Sequence, residues 1–290
     1  MSQFKNYLSL VKFSHTIFAL PFALIGFFWA VKLQNNELNF LTLVLVVLDM
    51  IWARNAAMGF NRYIDRDIDA KNERTVVRDI PAGNIKAKSA LLFVIINSIL
   101  FLVTTYFINI TTFYLAPIAL LVVLGYSYTK RFTSLCHIVL GIGLALAPIG
   151  AYLAVTGSFD WLPVLLSFVV LFWVSGFDII YALQDEEFDK NQKLNSIPVL
   201  LGKHKALILS RVLHATAFTL LLIIAYIGNL GLFFWIADIV FGLLLIYQHT
   251  LVKADDLTRV NLAFFTTNGI ASVLFGILAI SDLYFKIQLF

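Results

Sequence analysis

The stretch from Leu41 to Asp69 reads LTLVLVVLDMIWARNAAMGFNRYIDRDID. Its first part, 41–61, carries only Asp49 and Arg54 as ionisable residues. About 20 mostly apolar residues cross the hydrocarbon of a bilayer as one helix, so this is a spanning segment. It then runs straight into Arg62, Asp65, Arg66, Asp67 and Asp69. Asn61, Asp65 and Asp69 step by four, which lays them along one helix face, and Arg54 stands two turns earlier on that face. Ionisable groups in a span are costly and face a cavity or a partner. The stretch therefore predicts a membrane helix bundle with a polar site at one end.

The rest of the chain agrees. Of 290 residues, 60% are hydrophobic and 13% charged, whereas soluble domains sit near a quarter charged. Reading by span length gives nine candidate helices, at 14–32, 41–61, 89–108, 111–128, 134–156, 162–183, 207–227, 231–249 and 260–282. No soluble domain interrupts them, so residues 1–290 are expected to form one all-α integral membrane domain with a cytoplasmic-side cavity. The first apolar run lacks a small-residue cleavage site after it and reads as a retained helix. With nine spans, 19 of the 21 Lys and Arg fall on one side, Lys32 and Lys286 being the exceptions. The positive-inside rule makes the crowded side cytoplasmic, and a phosphate site there would produce the same bias. The expected location is the inner (plasma) membrane, multi-pass. The single Cys136 excludes an intramolecular disulfide and a cysteine zinc cage. Nothing suggests nucleic-acid binding.

A second acidic cluster ends the sixth span: Asp178, Tyr181, Asp185 and Asp189. Tyr181, Asp185 and Asp189 again step by four. Stacked carboxylates repel, so a cation is expected between them. Hard oxygen ligands suit Mg²⁺, which bridges carboxylates to substrate phosphates. Two such faces across the mouth of a bundle would hold Mg²⁺ about a diphosphate. Arg66, Arg74 and Arg78 follow the first cluster, Lys190 and Lys193 the second, and Lys130 and Arg131 lie on a short loop on the same side. Such cations suit phosphate oxygens. A transporter is the rival class, since buried acids also mark ion paths, but here the acids cluster at helix ends on one side.

These residues resemble the UbiA superfamily of intramembrane prenyltransferases over essentially the whole chain. Asn61, Asp65 and Asp69 match its first motif, Arg54 its preceding arginine, and Arg74, Thr75 and Arg78 its R-T-x-x-R. Asp178, Tyr181, Asp185 and Asp189 match the second motif. Lys130 and Arg131 match a Y-x-x-x-K-R segment with Tyr128 or Tyr126 as its aromatic. Arg62 stands where many relatives have Asp, and the variant, with the segment from Lys12 through His15 to Thr16, looks like the 4-hydroxybenzoate polyprenyltransferase-like branch. Some of that branch act on a naphthoate or futalosine-type acceptor in menaquinone synthesis. Either Lys193 fills the family lysine position or Asn195 stands in its place.

The resemblance implies Mg²⁺-dependent transfer of a polyprenyl group from its diphosphate to a small aromatic acid in quinone synthesis. Asn61, Asp65, Asp69, Asp185 and Asp189 would hold the metal, and Arg66, Lys130, Arg131 and Lys193 the diphosphate. Tyr128 or Tyr181 would shield the allylic cation through its ring face. Arg54 and Arg74 would pair with the acceptor carboxylate, and Asp178 would orient the acceptor. His15 stands near the first span and reads as packed or interfacial. His137, His204, His214 and His249 show no metal spacing and read as structural. Asn268 reads as an interhelical hydrogen-bonding residue. Asp49 and Asp238 sit within spans and require partners that the sequence does not name.

Overall fold

Without water to bind peptide groups in a bilayer, each apolar segment closes its own hydrogen bonds, and here it does so as a helix. The computed structural model describes residues 3–11, 18–285 and 287. The helices are α1 (Gln3–Leu10), α2 (Leu20–Leu33), α3 (Phe40–Ile64), α4 (Arg66–Asp69), α5 (Ala87–Ile108), α6 (Ile110–Thr129), α7 (Cys136–Thr156), α8 (Trp161–Ala182), α9 (Glu186–Asn191), α10 (Ile197–Ile227), α11 (Leu232–Thr250) and α12 (Asn268–Tyr284). A π-helical stretch, Leu262–Thr267, leads into α12.

Among the described residues, eight helices are long and apolar enough to cross a membrane. The ninth apolar helix, α2, has 14 residues and so rises only about 21 Å, short of a full hydrocarbon core. The start of the first expected range, and with it His15, lies outside the described residues, as does Lys286. Lys32 stands 4.2 Å over the ring of Tyr284, so the C-terminal ends of α2 and α12 share the side away from the acidic clusters.

The bundle has two lobes. Helices α2, α7, α8, α10, α11 and α12 pack around an aromatic core that includes Phe22, Trp29, Trp173, Phe234, Phe241 and Phe275. Helices α3, α5 and α6 pack on one another and against α7, leaving an apolar cavity between them. Lipid is as apolar as leucine, so close backbone approach and buried polar bonds hold such helices together. A Cβ on Gly26 would lie 2.1 Å from the Pro148 carbonyl oxygen, which shows how closely α2 meets α7. The indole of Trp173 donates to Asn268 Oδ1 at 3.0 Å, binding α8 to α12. Asp282 of α12 accepts from the amides of Gly231, Phe233 and Phe234, capping the start of α11.

Asp238 is fully buried, and its two carboxylate oxygens have no hydrogen-bond partner among the described residues. Asp49 lines the apolar cavity with one oxygen in the same condition.

The acidic ends are less regular than a step of four predicts. The first helix stops at Ile64, and Asp69 belongs to the short α4. After α8 a 3₁₀ turn, Leu183–Asp185, precedes α9, which carries Asp189. Side-chain donors take over the carbonyls at the first break. Arg66 donates to the Tyr63 carbonyl at 2.7 Å and Arg131 to that of Ile64 at 3.1 Å, while Arg131 also caps the end of α6 through the Ser127 carbonyl at 2.8 Å. Cations at a helix C-terminus satisfy its orphan carbonyls and oppose its dipole.

Candidate active site

Where the two lobes meet, at the ends of α3, α6 and α8, lies a chamber of about 290 Å³. Five carboxylates line it, Asp65, Asp69, Asp178, Asp185 and Asp189, with six cations, Arg54, Arg62, Arg74, Arg78, Lys130 and Arg131. Four of the acids each hold a separate cation. Arg131 meets Asp65 at 2.8 Å, Arg78 meets Asp69 at 2.6 Å, and Lys130 meets Asp189 at 2.7 Å. Arg74 grips Asp185 through two nitrogens, Nε at 3.1 Å, and donates to the Tyr181 hydroxyl at 2.8 Å. Asn72 adds a bond to Asp185 at 3.2 Å, and its own carbonyl oxygen turns the Arg74 amide inward. The loop after α4 thus crosses to α8 and joins the two motifs.

Burial pushes the Asp65 carboxyl above the usual carboxylate range, with Arg131 opposing. Burial alone would lower the Arg74 guanidinium, but its bond to Asp185 and that charge outweigh it and hold it above its ordinary value.

Asp178 is different. Its partner is the buried imidazole of His137, whose Nδ1 stands 2.7 Å from Asp178 Oδ2. The Ile197 amide meets His137 Nε2 at 3.3 Å, which turns Nδ1 toward Asp178. The α7–α8–α10 junction thereby fixes a carboxylate beside a buried imidazole.

A second cavity of about 350 Å³ lies among α3, α5, α6 and α7. Its walls are alanine, leucine, isoleucine, valine and phenylalanine, with Asp49, Thr105 and Thr112 as isolated polar members. Arg54, Met58, Tyr126, Leu140 and Leu144 line both spaces, so the two adjoin. An ionised head chamber next to an apolar cavity suits an amphipathic ligand with an anionic end.

Of the residues expected from sequence, Asn61, Asp65, Asp69, Arg54, Arg74, Lys130, Arg131, Asp178, Tyr181, Asp185 and Asp189 line the chamber together. Arg66, Tyr128 and Lys193 do not line it. Arg66 is held on the end of α3 by the Tyr63 carbonyl and stands 3.7 Å from Asp67. Tyr128 is 43% exposed and packs on Phe60. Tyr126, two residues earlier, turns about 200° away from it on α6 and faces the chamber. Lys193 sits in the left-handed region, φ 54°, where the chain reverses after α9.

Sequence reasoning left out Arg62 and His137 as site residues, and Phe264 altogether. The π-helical turn brings Phe264 to 4.1 Å from the Tyr181 ring, stacked on it. The carbonyls that such a turn frees are met by side chains: Gln248 and Asn268 donate to Ala263, and Asn268 also to Phe264.

The donors fit a hard divalent cation. Asp69 Oδ2 and Asp189 Oδ2 are buried without a hydrogen-bond donor. Asn61 spends its amide on Asp65 at 2.9 Å, which leaves its carbonyl oxygen for a ligand. Among the described residues, no three acidic, histidine or cysteine groups stand close enough to chelate one ion. Four of the carboxylates each face a cation of their own instead.

Residues 19–270 match the UbiA prenyltransferase family. The chain is 30% identical over 249 residues to a 4-hydroxybenzoate octaprenyltransferase of Tolumonas auensis, covering 86% of this chain and 87% of that one. The apo structure of a UbiA homologue from Aeropyrum pernix K1 superposes with a TM-score of 0.83 at 30% identity, over 92% of this chain and 98% of that one. A UbiA homologue from Archaeoglobus fulgidus bound to DMAPP and Mg²⁺ shares the fold, with a TM-score of 0.77 at 22% identity over 96% and 99% of the two chains. By its membrane helices, its paired acidic motifs and these likenesses, the chain belongs to the UbiA prenyltransferase family and is a multi-pass membrane prenyltransferase.

Proposed function

We propose that this enzyme transfers a polyprenyl group from polyprenyl diphosphate to a small aromatic acid of the 4-hydroxybenzoate type, with Mg²⁺ bound, in quinone synthesis at the cytoplasmic face of the inner membrane. The observation that carries the reading is the junction of the ionised chamber with the apolar cavity at Arg54 and Tyr126. A diphosphate alone would meet five carboxylates there, so it suits the chamber best with its cation. The relative from Tolumonas auensis, named for a 4-hydroxybenzoate acceptor, supports the acceptor class. The DMAPP and Mg²⁺ bound by the Archaeoglobus fulgidus homologue support the donor head and metal.

Asn61, Asp65, Asp69, Asp185 and Asp189 would hold Mg²⁺, which supplies Lewis-acid neutralisation of the leaving diphosphate. Lys130, Arg131, Arg74 and Arg78 then present N–H groups to phosphate oxygens, as they now do to carboxylates. The tail occupies the apolar cavity. The C–O bond at the allylic carbon breaks, its electron pair leaving with the diphosphate, and the ring faces of Tyr181 and Tyr126 stabilise the allylic cation. An acceptor ring carbon forms the new C–C bond. Asp178, held by the His137 imidazole, takes the ring proton as the C–H pair returns to the ring.

The test is a transfer assay in detergent with radiolabelled polyprenyl diphosphate, with and without Mg²⁺, on 4-hydroxybenzoate and 1,4-dihydroxy-6-naphthoate. Mg²⁺-dependent product from 4-hydroxybenzoate is expected. Product from the naphthoate alone would reassign the acceptor, and product from neither would refute the acceptor class.

A further inference from the structure

Arg62 lies in the last turn of α3, 6% exposed, and lines the ionised chamber. Arg74, Arg78, Lys130 and Arg131 in the same chamber each hold an aspartate. Among the described residues no carboxylate pairs with Arg62. The charges acting on it include Asp69 and Arg78, which are already paired with each other, and the phenols of Tyr126 and Tyr181 lie in its field. A buried guanidinium left without a counter-charge is strongly unfavourable, so the site is built to receive an anion.

Resting on the function proposed above, we infer that Arg62 is the acceptor clamp: it binds the carboxylate of the aromatic acid. Two features favour the acceptor over the donor. The diphosphate already has four cations and the metal. Tyr126 lines both cavities and shares the chamber with Arg62, so the guanidinium lies in the space that opens onto the junction where the acceptor ring must meet the allylic carbon. Arg74, expected from sequence to take the acceptor, is one of those four cations and now holds Asp185 and Tyr181. A planar guanidinium binds a carboxylate through two parallel N–H bonds, which fixes the ring's orientation as well as its charge.

The experiment compares kcat/KM for the aromatic acid and its methyl ester in wild type, Arg62→Met and Arg62→Lys, with donor KM measured in each. Wild type should prefer the acid by about 10- to 100-fold, the discrimination of a charge-assisted hydrogen bond. In Arg62→Met the ratio should fall toward unity while donor KM stays within about twofold. Arg62→Lys, which keeps the charge without the fork, should lie between, and it carries the test if Arg62→Met does not fold. A wild-type preference kept in both variants overturns the inference, as does a rise in donor KM with the acid-to-ester ratio intact. Transfer by wild type to neither acid nor ester would bring down the proposed acceptor class itself, a different failure from a working enzyme indifferent to Arg62.

Discussion

Replacing Arg74 by Met tests the bridge that joins the two acidic motifs. The guanidinium gives Asp185 two bonds and Tyr181 one, and it lies 5.1 Å over the Tyr181 ring. Breaking a fully buried ion pair costs about 3–5 kcal/mol, whereas an exposed pair contributes about 0–1 kcal/mol. Here the two side chains are 31% and 11% exposed, so solvent screens the arginine and an intermediate cost of about 2 kcal/mol follows. At roughly 2–4 °C per kcal/mol for a chain of this size, the metal-free protein in detergent should unfold about 4–8 °C lower. The assay is thermal unfolding of wild type, Arg74→Met, Asp185→Asn and the double variant. In the Asp185→Asn background the arginine has lost its charged partner, and removing it should cost about 0.5 kcal/mol or less. Equal effects of Arg74→Met in both backgrounds would refute the reasoning, because the bridge would then carry no coupling energy.

Asp65→Asn should reduce Mg²⁺-dependent transfer by about 100-fold or more while the protein stays monodisperse, and full activity in a folded variant would remove Asp65 from the metal set. Because burial raises the Asp65 carboxyl, it holds a proton at pH values where an ordinary aspartate has lost it, and Mg²⁺ must displace that proton. The half-saturating Mg²⁺ concentration should therefore rise as pH falls, beginning above the ordinary carboxylate range; a flat profile down to that range would contradict the shift. Gly26→Ala sets a Cβ 2.1 Å from a backbone oxygen of α7, where no rotamer change can relieve it. The two helices must part by about 1 Å or more, at about 1–3 kcal/mol. Gly125→Ala, with nothing within 4 Å of the new Cβ, is the control and should leave thermal stability nearly unchanged.

Hydropathy alone located eight helices long enough to cross, because a bilayer demands about 20 apolar residues wherever a helix crosses it, and that demand is written residue by residue in one dimension; the ninth expected span is the shorter α2 among the described residues. The step of four at Asn61, Asp65 and Asp69 and at Tyr181, Asp185 and Asp189 marked the two acidic faces for the same local reason. The spacing also implied unbroken helices, and here it misled: Asp65 ends α3 and Asp185 closes a 3₁₀ turn, because arginine side chains from the helix ends and loops satisfy the freed carbonyls and carboxylates. No local pattern could report that, since Arg131 lies 66 positions from Asp65 and Arg74 lies 111 positions from Asp185. Tyr126 and Tyr128 are two residues apart in similar company, and only the rotation of α6 in the bundle turns Tyr126 toward the chamber. His137 carried no motif, and its pairing with Asp178 exists because α7, α8 and α10 converge. Composition and spacing, which depend on the solvent and on one helix's geometry, determined the membrane class and the acidic clusters. Which cation holds which acid, and which arginine waits for an anion, was decided by the packing of helices against one another, where partners distant in sequence share one small volume.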